Sequence, residues 1–344
     1  MRTVSACTLE YAEVPRPKVA TDEAVVQIEH VTLCGTDLHI FEDDYTSELP
    51  LIQGHELSGT VVEVADDVAG VAVGDRVAVD PLIACGECAT CRKGRGHVCP
   101  NLMVFGCYCD GGFVEYLSVS ADRLHRIPDG LPTELGAVAE PTAISLESVT
   151  RGRAAPGETA LVLGCGPIGA LATLALHDLG ATVIAADTVP DRLDLVREFG
   201  ASHTLLVDAA SRFPTAQLAE VLRDDSSDGP DLVIEATGVP ASLANALDVV
   251  APGGRVVQVG ISTRPTGFPL KVIPFKEVEL LGSRNSQGLI PEALKLIARH
   301  QDTVRSLLTH RFAVNELDQA FATMRATDQR VGKVLIDMPA KVQV

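Results

Sequence analysis

Tryptophan is absent from the 344 residues, and the aromatic side chains are limited to nine phenylalanines and four tyrosines. So few aromatic residues argue against a large apolar ligand pocket. Positive charge is also scarce, because 28 lysines and arginines face 46 aspartates and glutamates, for a formal net charge of −18. Since phosphate recognition needs a basic surface, this charge argues against nucleic acid as a partner.

Long apolar runs are missing too, and no stretch approaches the 18 residues that a membrane-spanning helix requires. The opening residues, MRTVSACTLEYAEVPRP, lack the apolar core of a signal peptide, so we expect a cytoplasmic protein. The chain is too long for one ordinary core, which predicts two domains. In a reducing compartment, its nine cysteines indicate metal binding or catalysis more than a disulfide framework.

The stretch from Cys34 to Glu56 carries three kinds of metal ligand. Cys34 offers a thiolate, His55 an imidazole and Glu56 a carboxylate. A catalytic Zn²⁺ accepts this combination and keeps a position open for substrate. From these residues alone a plainer interpretation stays open, in which Cys34 is a small buried hydrophobe and His55 a hydrogen-bonded core histidine.

Four further cysteines stand in the spacing C-x2-C-x2-C-x7-C, at Cys85, Cys88, Cys91 and Cys99. Four thiolates close a tetrahedral shell and leave no room for substrate, which is typical of a structural zinc. The alternatives are four unrelated thiols in one loop, or an iron–sulfur cluster, although the spacing lacks the ferredoxin pattern.

Glu140 and Pro141 lie near the start of a predicted helix from Leu135 to Val149. A carboxylate at a helix entrance is favoured by the helix dipole alone, so Glu140 is a ligand candidate only with support from elsewhere. Cys107 and Cys109 flank Tyr108; a redox pair is conceivable there, but two inert thiols are the more common arrangement.

The first part of the chain has the pattern of short strands. Ala24–His30 partly alternates, Gly59–Val64 is rich in β-branched residues, and Arg76–Val79 follows a Gly-Asp turn. These segments predict a mainly β, barrel-like domain, with the metal ligands on loops between strands.

A different pattern begins at Thr159–Leu163, a continuous apolar run that predicts a strand buried on both faces. It leads into a G-x-G-x-x-G segment, whose members are Gly164, Cys165, Gly166, Pro167, Ile168 and Gly169. A predicted helix, Ala170–Leu179, follows. Strand, glycine-rich turn and helix together predict that the helix N-terminus holds the pyrophosphate of a dinucleotide.

The second strand of this unit, Thr182–Ala186, ends at Asp187. A carboxylate there accepts hydrogen bonds from the adenosine ribose hydroxyls and repels a 2′-phosphate, which predicts NAD in preference to NADP. Arg192 is a second candidate contact, either stacked on the adenine or, as the weaker alternative, meeting a phosphate.

The strand–helix alternation continues through Asp231–Ala236, Ala241–Val250, Arg255–Gly260 and Val278–Gly282. It predicts an α/β fold with a doubly wound parallel sheet beside the mainly β domain. We expect a catalytic domain over 1–150, a dinucleotide-binding domain over 151–284, and a return to the catalytic domain over 285–344, ending in the strand Lys333–Asp337.

Taken together, the motifs resemble those of the zinc-dependent medium-chain alcohol dehydrogenases, most closely the sorbitol and polyol dehydrogenase branch. The likeness runs nearly from end to end, through CGTDLH, GHELSG, GDRV, the four-cysteine loop, DGGFVEY, AEP, LGCGPIG and GKVLI.

The resemblance implies that Cys34 and His55 bind the catalytic zinc. It also implies that Glu140 stands where many relatives have a third cysteine ligand, and that Glu56 and Glu140 share the remaining positions with water or substrate. Asp37 would orient His55. Thr36 and His39 match the proton relay of the family, and a water at either glutamate is the alternative route for the proton.

The same resemblance places Val259, Ile261, Ser283 and Asn285 beside the nicotinamide, and Glu147 where many relatives have histidine. It implies an NAD-dependent dehydrogenase acting on a secondary alcohol of a polyol, sugar or sugar acid, with one catalytic and one structural zinc. The pocket candidates are Phe41, Tyr45, Tyr108 and Asn285, each of which is equally compatible with packing in a core or loop.

Two other functions stay open at this point: an amino-alcohol dehydrogenase of the threonine type, and a cofactor-binding sensor without turnover. Relatives that act on threonine often have Asp-Pro where this chain has Glu140-Pro141. We expect a homodimer or homotetramer, paired through the segment Ile273–Leu281.

Overall fold

The computed structural model describes residues 1–208, 213–223, 228–326 and 330–339. They form two compact units, one of Met1–Ala143 with Gln287–Val344, the other of Ile144–Ser286. The first boundary lies inside the helix Ala139–Arg151. Within the described residues, no helix has both the length and the apolar character needed to cross a membrane.

The strands are β1 (Arg2–Ser5), β2 (Thr8–Glu10), β3 (Glu23–Thr32), β4 (Glu56–Val64), β5 (Arg76–Val79), β6 (Leu82–Ile83), β7 (Met103–Val104), β8 (Tyr116–Ser120), β9 (Leu124–Arg126), β10 (Thr159–Leu163), β11 (Thr182–Asp187), β12 (His203–Leu206), β13 (Leu232–Glu235), β14 (Arg255–Gln258), β15 (Glu279–Gly282), β16 (Leu308–Ala313) and β17 (Lys333–Asp337). The helices are α1 (Gly35–Phe41), α2 (Ala89–Arg92), α3 (Thr133–Gly136), α4 (Ala139–Arg151), α5 (Pro167–Leu179), α6 (Pro190–Glu198), α7 (Thr215–Leu222), α8 (Pro240–Val249), α9 (Val272–Lys276), α10 (Ile290–Arg299), α11 (Gln301–Ser306) and α12 (Leu317–Arg325).

The second unit contains the predicted parallel sheet, with six strands in the order β12-β11-β10-β13-β14-β15. Every neighbouring pair in it is parallel. All five residues of β10 are buried, as expected for a strand covered on both faces. The order reverses between β10 and β13, and ligands of such sheets bind at the carboxyl ends of the strands beside this reversal.

The first unit is mainly β. Its seven-stranded sheet has the order β16-β17-β3-β4-β5-β9, with β8 paired to β3 as well. Strand β17 pairs antiparallel with β3, so a segment far along the chain joins the sheet that contains β3, β4 and β5. The core of this unit joins residues of that sheet to Phe41, Phe113 and α12.

Two local features differ from the sequence prediction. A loop was expected after Cys34, but the short helix α1 begins there, with Cys34 as its N-cap. The helix of the dinucleotide motif begins at Pro167, three residues before the predicted start, because proline fits the first position of a helix. The predicted fold class, a parallel α/β sheet plus a mainly β unit, is confirmed.

Candidate metal and cofactor sites

Asp37 joins the two segments that carry the candidate zinc ligands. Its side chain is completely buried in α1. One carboxylate oxygen, Oδ2, accepts a hydrogen bond from the backbone N–H of Cys34 (2.9 Å), and the other, Oδ1, accepts from the N–H of Gly54 (3.3 Å). Because the carboxylate holds the residue before His55 as well as Cys34 itself, it fixes the spacing of both ligands.

His55 is oriented through its Nδ1 atom. This nitrogen lies 3.5 Å from Asp37 Oδ1 and 3.6 Å from the thiol of Cys107, so Nε2 is the atom left to bind a metal. Burial alone would lower the pKa of His55, but the neighbouring Cys107 and Asp37 raise this pKa well above its ordinary value. The surroundings therefore favour a cation on the imidazole, whether a proton or a metal ion.

Glu56 lies closest to the other two ligands. The potential ligand atoms of Cys34, His55 and Glu56 all lie within 4.8 Å of one another. Both oxygens of Glu56 already have partners, however, because Oε1 accepts from the ammonium of Lys333 and Oε2 accepts from the hydroxyl of Thr32. Glu56 is thus near the metal position but is held by a buried lysine.

Glu140 has the opposite arrangement. It lies in the first turn of α4, is buried, and has one carboxylate oxygen, Oε2, without a hydrogen-bond partner. Burial raises the pKa of Glu140 to about 8, and the nearby Glu56 adds to this while His55 opposes it. An unpaired buried carboxylate oxygen is costly unless it meets a cation. The thiol of Cys34, the imidazole of His55 and this carboxylate oxygen of Glu140 are ligand types that Zn²⁺ accepts, and His55 lies near enough to Glu140 to oppose the rise in its pKa.

The candidate relay residues, Thr36 and His39, lie on α1, the helix that begins after Cys34. Thr36 is half-buried on α1, while the side chain of His39 is 57% exposed and its Nδ1 lies 3.5 Å from Asp44 Oδ2. His39 is therefore placed to exchange protons with solvent. This agrees with the outer position of a relay and leaves the role itself a prediction.

The four-cysteine cluster has the dimensions of a zinc site. The sulfur pairs Cys85–Cys91, Cys88–Cys99 and Cys85–Cys99 are 3.9, 3.8 and 3.4 Å apart, and none of these thiols forms a disulfide. Zn–S bonds of about 2.3 Å place the sulfurs of a tetrahedron about 3.8 Å apart. Backbone N–H groups of Cys88 and Glu87 lower the pKa of Cys85 to about 6, which favours the thiolate that a metal needs.

The dinucleotide loop can form its tight turn only because it is built of glycine. Gly164 has φ of +92°, and a Cβ atom on it would lie 2.7 Å from Thr237. A Cβ on Gly169 would lie 1.8 Å from the carbonyl oxygen of Gly164. Gly166 is the N-cap of α5, and a Cβ there would meet no atom within 4 Å, which leaves space for a ligand beside the helix N-terminus.

Asp187 lies at the end of β11, as the sequence predicts. Its carboxylate is buried and accepts hydrogen bonds from the backbone N–H groups of Cys165 (2.7 Å) and Val189 (2.9 Å). Arg192 lies 3.9 Å from the same carboxylate and is half-exposed. Asp187 is thereby fixed between the glycine loop and the next helix, while the guanidinium faces it from the solvent side.

The remaining predicted cofactor residues gather at the carboxyl ends of β14 and β15. The N–H of Val259 donates to the carbonyl of Glu235 (2.9 Å), and the N–H of Ser283 donates to the carbonyl of Gln258 (2.9 Å). Ile261 is 78% exposed, and Asn285 adopts a positive φ of 56°. The structure places these four residues at the ligand-binding edge of the sheet, and their contact with a nicotinamide stays a prediction.

Comparison with known proteins identifies the family. Residues 20–129 match the model described as the alcohol dehydrogenase GroES-like domain, and residues 167–299 match the one described as zinc-binding dehydrogenase. An L-threonine 3-dehydrogenase from Paraburkholderia phymatum is 33% identical to this chain, over 96% of both proteins. The chain belongs to the zinc-dependent alcohol dehydrogenase family. The family assignment made from the sequence motifs is confirmed.

Solved structures of the family are similar over nearly the whole chain. A short-chain alcohol dehydrogenase from Escherichia coli CFT073, complexed with NADH, gives a TM-score of 0.89 at 28% identity, with 98% of each chain covered. Galactitol-1-phosphate dehydrogenase from Escherichia coli gives 0.88 at 29% identity, covering 98% of this chain and 100% of its own. The predicted enzyme class and the predicted cofactors, zinc and a nicotinamide dinucleotide, are confirmed.

Sequence analysis did not assign three residues to the surroundings of the dehydrogenase metal site. Lys333, Thr32 and Cys107 touch Glu56 or His55, yet none belongs to a metal-ligand motif. The available signal was Lys333, a lone charge at the start of the apolar run Val334–Ile336, since lysine is rarely buried without a partner.

Among the pocket candidates, Phe41 is a core residue, because it is buried and stacks on Phe321 with ring centroids 4.2 Å apart.

Replacing Lys333 with methionine tests how much the buried ion pair between Lys333 and Glu56 contributes to stability. Lys333 is 3% exposed and Glu56 is 1% exposed. Breaking such a pair leaves an uncompensated buried carboxylate, so K333M is expected to lower the free energy of unfolding by about 3–5 kcal/mol in urea titrations. The matched control is K295M, because Lys295 lies 4.0 Å from Glu292 on an exposed helix face and should contribute less than about 1 kcal/mol. Equal effects of the two changes would contradict this role of Lys333.

Proposed function

We propose that the enzyme transfers hydride between NAD and a secondary alcohol of a polyol, sugar or sugar acid. The observation that carries this substrate class is a pair of tyrosines, Tyr45 and Tyr108, that pack with Cys107, the neighbour of His55. Their hydroxyl oxygens lie 3.3 Å apart and their rings stack at a centroid distance of 6.2 Å. Tyr45 and Tyr108 can each donate and accept hydrogen bonds, as recognition of a hydroxyl-rich substrate requires.

Cys107 connects this tyrosine pair to the metal site. It directly precedes Tyr108, its carbonyl accepts a hydrogen bond from Ser47, and its thiol lies 3.6 Å from His55 Nδ1. Tyr45, Cys107 and Tyr108 belong to one apolar cluster with Ile40 and Leu51. The tyrosine pair therefore adjoins the residue that contacts His55, and in this proposal its two phenol hydroxyls bind the substrate.

In the mechanism, Cys34, His55 and Glu140 would hold zinc. Bound zinc supplies the Lewis acidity that acidifies an alcohol, and the nicotinamide supplies the hydride acceptor. Asp37 keeps the His55 ring in place through Nδ1, and the ammonium of Lys333 holds the Glu56 carboxylate in place beside the site. The hydroxyl of Thr36 takes up the alcohol proton and passes it toward His39, whose exposed ring releases it to water.

The preference for NAD over NADP is supported by Asp187. Its carboxylate is buried at the end of β11 and lies where a 2′-phosphate would add a second negative charge. Arg192 is already paired with this carboxylate at 3.9 Å, which makes it less available to a phosphate.

A second candidate substrate is an amino alcohol such as threonine. The observation in its favour is the 33% identity with an L-threonine 3-dehydrogenase across 96% of both chains. Against it stands the tyrosine pair, which offers hydroxyls but no fixed charge for an ammonium or a carboxylate group.

A substrate panel separates these candidates. We expect NADH formation with polyols and sugar acids at a kcat/KM at least about tenfold above that with L-threonine, a difference of about 1.4 kcal/mol in transition-state binding. Y108F should reduce polyol turnover without changing NADH affinity, since only a hydroxyl is removed. Activity confined to threonine would reject the polyol assignment, and turnover of any compound rejects the sensor hypothesis.

Assembly through the segment Ile273–Leu281 is supported by exposed apolar side chains. Phe275 is 83% exposed and Leu280 is 42% exposed, and β15 has a strand neighbour, β14, on one side only within the described sheet. An exposed apolar edge of this kind favours pairing with a second copy. Light scattering on the purified chain gives the mass of the assembly directly.

A further inference from the structure

A buried carboxylate with no role in the proposed chemistry lies at the end of β13. Glu235 is completely inaccessible to solvent and is the last residue of its strand. It lies on the edge of the parallel sheet where cofactors of such folds bind. A carboxylate is rarely buried unless its contacts compensate for the cost of desolvation. The contacts of Glu235 therefore indicate its role.

The contacts of Glu235 organise the turn that follows it. Oε1 accepts hydrogen bonds from the backbone N–H of Thr237 (2.9 Å) and from its hydroxyl, and Oε2 accepts from the N–H of Gly238 (3.1 Å). The same threonine oxygen accepts from the N–H of Val239, immediately before α8. One carboxylate thus fixes the whole connection from β13 to α8.

A fourth donor links this turn to the next strand. The side-chain amide of Gln258 donates from Nε2 to Glu235 Oε2 (2.5 Å) and to the carbonyl of Gly260 (2.7 Å). Because both partners are acceptors, the amide orientation is determined, and its oxygen Oε1 is left buried without a partner. Leucine would fill this position without an unpaired oxygen, so the value of the glutamine lies in the two contacts of Nε2.

The two turns meet backbone to backbone. A Cβ on Gly260 would lie 2.0 Å from the N–H nitrogen of Gly238, and a Cβ on Gly238 would lie 2.6 Å from the carbonyl of Ile261. A shift in either turn would therefore move the other turn.

We propose that Glu235 and Gln258 are positioning residues, which lock the turns 236–238 and 259–261 in the arrangement that receives the nicotinamide half of the dinucleotide. This inference rests on the proposed cofactor but not on the identity of the alcohol. The adenosine half, held by Asp187 at the end of β11, lies outside their contacts. The pair should therefore affect affinity for NADH and leave affinity for ADP unchanged.

The test is E235Q, with NADH binding followed by the fluorescence of the dihydronicotinamide and ADP binding by calorimetry. Glutamine has one acceptor oxygen where the carboxylate has two, so its NH₂ must face N–H donors. We expect NADH affinity to fall about tenfold, or about 1.4 kcal/mol, with ADP affinity within about twofold of the wild type. Zinc content should not change, and with an accepted substrate the KM for NAD should rise more than kcat falls.

Q258L is the second variant and tests the same inference if E235Q does not fold. It keeps the volume, removes both contacts of Nε2, and should weaken NADH binding about threefold or more with ADP again unaffected. The matched control is D231N, because Asp231 accepts from the N–H of Thr159 (2.9 Å) near the opposite end of the same strand. D231N should change neither the affinity for NADH nor the affinity for ADP.

The outcomes are distinct. Parallel losses of NADH and ADP affinity would show a general folding defect and overturn the inference, as would wild-type NADH affinity in a folded E235Q or Q258L. Failure of the wild-type protein to bind NADH at all would instead reject the cofactor on which the proposed function depends.

Discussion

Replacing Cys34 with alanine is expected to reduce NADH formation at least about 1,000-fold and to leave NADH affinity within about twofold of the wild type. Cys34 is one of three side chains whose ligand atoms lie within 4.8 Å of one another, and alanine removes the thiolate from this group. Two ligands hold zinc poorly, and the alcohol loses the Lewis acid that acidifies it. Turnover and fluorescence titration measure the two effects on the same sample.

The control for this change is C7A. Cys7 is exposed and lies outside both candidate metal groups of the described residues. It should keep full turnover and the wild-type zinc content, whereas C34A should lose one zinc per chain. If C34A retains turnover with one zinc fewer, the catalytic role of this site is refuted.

Replacing Cys85 with serine should have its largest effect on stability. The four sulfurs of this cluster already lie at the separations of a tetrahedral zinc site, and α2 at its centre has only four residues. Without the metal, the loop loses the group that joins its four cysteines, three of which, Cys85, Cys88 and Cys91, are only partly buried. A loss of about 4 kcal/mol, below the binding energy of structural zinc in small domains, would lower the melting temperature by roughly 10 °C.

The C85S variant is distinguished from C34A by what it leaves intact. Calorimetry and metal analysis should show one zinc lost and a lower melting temperature, while turnover at 25 °C and NADH affinity change little. C7S is the control for replacing a thiol with a hydroxyl. A C85S protein with the wild-type melting temperature would contradict a structural role for this zinc.

The sequence predicted the parallel sheet well because local signals and the fold agree there. The run Thr159–Leu163 is apolar throughout, and its burial on both faces needs no information from distant residues. The glycine turn and Asp187 are likewise adjacent in the chain to the strands that position them. Boundaries were less accurate, since α5 begins at Pro167 and α1 was not foreseen.

The environment of the metal site was harder to predict because it depends on contacts between distant residues. Lys333 meets Glu56 across 277 positions, and Cys107 meets His55 across 52. No local pattern announces such pairs. The distinction between Glu56, whose oxygens both have partners, and Glu140, which has one free oxygen, became visible only with the fold.

Phe41 and Tyr45 show the same limit at the pocket. Both follow the CGTDLH motif at helical spacing, and the sequence alone does not separate them. The structure places Phe41 against Phe321 in the core, whereas Tyr45 faces Tyr108 near the metal site. Residues far along the chain, Phe321 and Tyr108, therefore separate a core side chain from a candidate pocket side chain.

The most direct test is to count zinc while activity is removed stepwise with a chelator. The account predicts two zinc ions per chain at the start, and loss of NADH formation in proportion to the loss of one of them, with NADH still bound by the inactive protein. Full activity persisting after the metal at Cys34 and His55 has gone would contradict it.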